Sequence, residues 1–183
     1  MTRPATRALL RAGILVVALV AATATIARNL GEGWKVLGTV EARLGDTPVT
    51  LVAGIRLETG EATMIETYDL HGHVVTIGAM TPNSSGEPGL PILTLKLGPI
   101  EDGLPPALAL DLREAERVLM ANEWSETDAI LSDFFLSPDG RIGFSFAAEM
   151  MVMTPSPDGG YVPLPGAVGK TIQGRFDGRL PDR

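Results

Sequence analysis

Most of this chain alternates apolar and polar residues with a period of two, the mark of strands with one buried and one wet face. From Trp34 to Leu44 the even positions Val36, Gly38, Val40, Ala42 and Leu44 are apolar or small, and the odd ones include Lys35, Thr39, Glu41 and Arg43. Gly45-Asp46-Thr47-Pro48 turns the chain, and Leu51, Ala53, Ile55 and Leu57 carry the apolar set on to a turn at Thr59-Gly60. Residues 61–70 and 73–80 read as a hairpin around His71-Gly72, and Leu93, Leu95 and Leu97 share one face of a strand over 90–97. Further strands are predicted over 129–136, 142–153 and 170–180, separated by Ser137-Pro138-Asp139-Gly140 and Pro155-Ser156-Pro157-Asp158-Gly159-Gly160. Pro fixes φ and Gly tolerates positive φ, so Pro-Asp-Gly sets up tight turns.

One segment departs from this period. Asp111 followed by Glu114 matches a capping box, Leu112, Ala115, Val118 and Leu119 share one helical face, and Asn122 can end the turn. A helix of about ten residues within 111–122 is therefore expected, covering an open end of the sheet. Segments 36–44 and 172–180 match position by position in residue type, with Gly38 and Gly174 in their apolar faces and each ending in Arg-Leu. Pairing of these two segments would seal the sheet edge. The expected fold is mainly β: an antiparallel β-sandwich or partly closed barrel of about eight or nine strands with one short helix. A hydrophobic N-terminal helix is expected outside this domain.

That helix says where the domain works. Arg3, Arg7 and Arg11 precede an apolar run from Ala12 to Ala22, which thins into Ala22-Thr23-Ala24 and Thr25-Ile26-Ala27. This is the layout of a secretory signal with small residues at its cleavage site. A helix over 12–27 reaches only about 24 Å, short of a hydrocarbon core of about 30 Å. The alternative is an uncleaved signal anchor, in which residues 8–27 contact the membrane and Arg11 snorkels to the headgroups. Residues 1–27 are thus a signal peptide or signal anchor, and 28–183 one exported domain, periplasmic or extracellular.

The chain has no cysteine, so neither disulfides nor thiolate metal sites are expected. Without Arg3, Arg7 and Arg11, 12 basic residues face 22 acidic ones, a formal charge of −10. Such a domain repels nucleic acid and anionic lipid surfaces.

Candidate chemistry is sparse. Asp69, His71 and His73 alternate, so a continuous strand would project all three from one face, a partial ligand set for zinc or copper. A turn at Gly72 would instead point the imidazoles apart. Met151 and Met153 share a strand face and offer thioethers to copper(I), although Met also fills gaps in apolar cores. There is no Gly-x-Ser-x-Gly elbow, no phosphate-binding Gly loop and no His-Glu-x-x-His. No cofactor is implied.

The reading favoured by these features is a non-catalytic exported envelope protein, a β module that binds a protein partner or organises an assembly. A periplasmic binder of a transition metal or small apolar ligand is the alternative, and a hydrolase with carboxylates in a cleft is the third. Native protein from its host's envelope should show an intact mass for a chain beginning near Thr25 or Arg28. A full-length mass would make residues 12–27 an anchor.

Overall fold

The computed structural model describes residues 30–69, 72–101 and 104–182. The expected N-terminal helix and segment 1–27 lie outside these, as does His71. Eleven strands follow in chain order: β1 (Trp34–Leu44), β2 (Thr47–Arg56), β3 (Met64–Asp69), β4 (Gly72–Pro82), β5 (Pro88–Ile100), β6 (Leu108–Arg113), β7 (Val118–Ala121), β8 (Ala129–Leu136), β9 (Arg141–Pro155), β10 (Tyr161–Pro163) and β11 (Lys170–Arg179). Eight of them close an antiparallel barrel in the order β9-β11-β1-β2-β4-β5-β6-β7, with β7 returning to β9. β3 adds to β4, and β8 and β10 add to β9.

The closing seam is the pairing expected of the first and last strands. Their register runs from Gly38 opposite Gly178 to Leu44 opposite Ile172, with Val40 opposite Phe176 and Ala42 opposite Gly174. Each segment's small residues therefore meet the other's. A Cβ on Gly38 would lie 2.5 Å from Phe176 Cζ, and one on Gly178 would lie 2.6 Å from the same atom and 2.9 Å from Gly38 Cα. The Phe176 ring is fully buried over this glycine pair and 5.5 Å from the Phe144 ring. An aromatic ring laid over paired glycines supplies the burial that the missing side chains cannot.

Alternate residues of every barrel strand fill the interior. Leu51 and Ala53, Val75 to Ala79 at alternate positions, Leu93 to Leu97 likewise, Leu110, Leu119, and Ile142 and Met150 of β9 all join one buried cluster. An eight-stranded barrel is just wide enough for side chains to fill it, and here they do. In β1 the strict even alternation fails at one point. A bulge between Val36 and Gly38 shifts the register against β2, so Leu37 is buried and Val36 is 42% exposed.

No helix occurs among the described residues, and the one expected over 111–122 is a correction. Those residues form the β6–β7 hairpin, with Glu114 N–H donating to Arg117 C=O at 2.8 Å and Leu110 to Arg113 paired with Ala121 to Val118. Leu108, Leu110 and Leu112 alternate into the core as β6 pairs with β5, and this long-range ladder outweighs the local cap pattern. The two residues read as start and stop face each other across the hairpin instead: Asn122 Nδ2 donates to Asp111 Oδ1 at 2.6 Å.

Two predictions follow from this packing. Phe176→Ala should cost about 3–5 kcal/mol in urea unfolding, and Gly38→Ala about 1–3 kcal/mol, because the added methyl displaces a ring with nowhere to go. Burial raises the Asp111 carboxyl above its ordinary value of 3.8, against the opposing hydrogen bond from Asn122. The folded protein thus holds that proton more tightly, and the stability contribution falls as pH rises from 3.8 through the raised value. Asp111→Asn keeps an acceptor for Asn122 and should gain stability over the native protein across that window, with a constant gap above it and none at lower pH.

Candidate functional site

One end of the barrel is built differently from the other. β2 and β4 pair directly only at Val52 and Met80. Beyond that point Thr63 stitches them: its N–H donates to Gly54 C=O at 2.8 Å, its carbonyl accepts from Gly78 N–H at 2.6 Å, and its Oγ1 accepts from Gly54 N–H at 3.0 Å. β3 then runs along β4, with Met64 opposite Ile77, Glu66 opposite Val75 and Tyr68 opposite His73. Ile77 and Val75 point into the core, so Glu66, Tyr68 and His73 continue the same inner face towards the mouth. The apolar lining gives way to polar groups where the opposite wall ends.

These three side chains form a compact unit. His73 Nε2 lies 2.7 Å from Glu66 Oε1, and both side chains are about five-sixths buried, at 15% and 16% exposure. The ring N–H direction is not aligned for a hydrogen bond, so the two groups touch without forming one. The Tyr68 ring stacks on the imidazole with centroids 4.5 Å apart and planes 10° apart, and its hydroxyl donates to Glu66 Oε1 at 3.0 Å. Stacking fixes the imidazole plane beside the Glu66 carboxylate.

Two clefts flank His73. One, of about 550 Å³, runs between Glu66, Tyr68 and the segments around Asp139 and Asp182. The other, of about 600 Å³, lies between His73, Ile100, Leu104 and the end of β8. Carboxylates thus face one cleft from two sides, the arrangement sought for a hydrolase. Ser137 Oγ donates to Asp139 and lowers its pKa, which suits this exposed carboxylate to the role of a base rather than of a general acid.

The other residues singled out from sequence are scattered. Asp69 pairs with Gly72 at the tip of the β3–β4 hairpin, and His71 is outside the described residues. Met151 sits opposite Met120 and Met153 opposite Val118. Even positions of β9 point inward, so Met150 joins the core cluster whereas the half-buried Met151 and the buried Met153 lie on the other face of the strand. They also lie about ten residues along β9 from its mouth end, roughly 33 Å. His73 and the methionines are therefore not brought together. Among the described residues no group of three His, Asp or Glu side chains is placed to hold a metal. Glu66 and Tyr68 were missed by sequence reasoning; the signal was their spacing of two on a strand opposite His73, readable only once the hairpin register was known.

A double-mutant cycle with Glu66→Gln and His73→Phe should give a coupling of about 0.5–3 kcal/mol, since Phe retains the stack on Tyr68 and removes Nε2; additivity would mean the contact does not hold the mouth together. The chain matches no protein-family model, no curated protein and no solved structure, so any functional reading of this mouth rests on its own chemistry.

Proposed function

We propose that the protein is a non-catalytic exported module that binds an envelope protein partner through the His73 end of its barrel, on the periplasmic or extracellular side. The observation carrying this reading is a set of large apolar side chains left in solvent around that end: Tyr68 is 64% exposed, Leu104 62% and Phe135 39%. Such groups cluster where a partner covers them. β8 lies beside them, and among the described residues its only ladder partner is β9, which leaves a second edge for an added strand. That edge is kept from indiscriminate pairing by a bulge between Ser132 and Phe135, with Asp133 at φ 53°.

The filled interior favours a surface partner over an apolar ligand carried in the lumen. The charge of −10 beyond the N-terminal arginines supports a protein partner over nucleic acid or an anionic lipid surface. The N-terminal arginines and apolar run support export.

A photo-crosslinking residue in place of Leu104, expressed in the host, should yield one discrete protein adduct in the envelope fraction. Phe135→Glu should abolish that adduct without changing Tm. Recovery of the protein in the cytosol, or crosslinking equally strong from Val168 at the opposite end, would overturn the proposal.

A further inference from the structure

A smaller cleft of about 330 Å³ opens on the same end of the barrel, between the start of β1, the end of β2 and residues 179–182. Its walls are apolar: Leu37 and Leu180 are nearly buried, and Leu57 is 61% exposed above them. Its rim carries Lys35, Arg56 and Arg179. Arg56 is already held, 5.6 Å over the Trp34 ring and 3.7 Å from Glu87. Among the described residues neither Lys35 nor Arg179 forms a salt bridge within 4.0 Å, and Arg179 is near enough to Asp139 only to help hold that carboxylate ionised. Arg179 moreover stands directly opposite Arg141 across the β9–β11 ladder, and like charges at such a position cost stability. A strongly acidic domain thus gathers cations around one apolar cleft.

We propose that this cleft, which adjoins the His73 cleft along Leu180 to Asp182, binds a small organic monocarboxylate with an apolar body. The body packs on Leu37, Leu57 and Leu180, and the carboxylate meets Lys35 and Arg179, whose guanidinium offers two parallel donors. The volume is at the lower end of ligand pockets, which span roughly 300–1,000 Å³. Asp182 on the rim disfavours a doubly charged head such as a phosphate. The acidity of the whole domain disfavours an anionic bilayer as the source, so the ligand is a free molecule.

The test is methyl NMR of the full chain titrated with octanoate, with 1-octanol as the uncharged counterpart. Octanoate should shift the Leu57 and Leu180 methyls saturably, and 1-octanol should bind at least about tenfold more weakly. Lys35→Gln with Arg179→Gln should weaken octanoate about tenfold or more, and Asp182→Asn should tighten it. These are surface changes, and unshifted core methyls such as those of Leu93 and Leu95 verify the fold of each variant. No saturable shift at millimolar octanoate, equal affinity for octanol, or unchanged affinity in the double variant would each overturn the proposal. Leu57→Glu gives an independent arm: it should abolish the shifts at Leu180, and undiminished binding would place the ligand elsewhere.

Discussion

The approach of β1 to β11 is the contact on which the rest of the molecule depends. A sheet curls shut only where its two outer strands can meet and still leave room inside for the side chains they carry. Here the room is made by Gly38 and Gly178, and it is filled by the single ring of Phe176, which also lies against Phe144, its register partner on the neighbouring β9. Replace the glycines with larger residues and the ring must leave; remove the ring and the glycine pair is left over a void. Closure, packing of the interior and the existence of a defined mouth at each end are consequences of one geometry.

Closure also explains why the polar chemistry sits where it does. Strands inside the barrel have both neighbours satisfied and their inner faces buried, so nothing reactive is tolerated there. The β3–β4 hairpin escapes this constraint because Thr63 bridges β2 and β4 and lets β3 run on alone. Its inner face begins apolar at Met64 and Ile77 and ends at Glu66, Tyr68 and His73. The same hairpin is thus wall at one end and carries the polar cluster at the other.

Much of the architecture was legible because it was written in the period of two. The turns at 45–48 and 137–140, the pairing of the first and last strands and the predominance of β structure all came from alternation and from Pro, Asp and Gly. What sequence could not supply was anything that depends on a neighbour far along the chain. The cap-like Asp111 and Glu114 suggested a helix because their local pattern is real, and only the ladder from Leu108 to Leu112 against β5 decides otherwise. Val36 and Leu37 exchange faces through a bulge in β1 that shows only in its register against β2. The candidate site was half visible: His73 stood out as a rare residue type, but Glu66 and Tyr68 are ordinary until the register places them beside it. Met151 and Met153 looked like partners for the histidines on chemistry alone, and strand length separates them.

The seam joins residues near the two extremities of the domain, so the order in which the chain is made acquires a cost. Until Lys170–Arg179 has emerged, β1 and β9 each hold out a bare edge, and the interior core has a slot along its whole length. Bringing those extremities together closes a very large loop, which depends only weakly on length once the chain is long but makes the final step non-local and slow. The domain is therefore an all-or-nothing object with respect to its last strand: a chain truncated before Phe176 lacks the seam, the ring that covers it and the second mouth, and is an open sheet exposed to other open sheets.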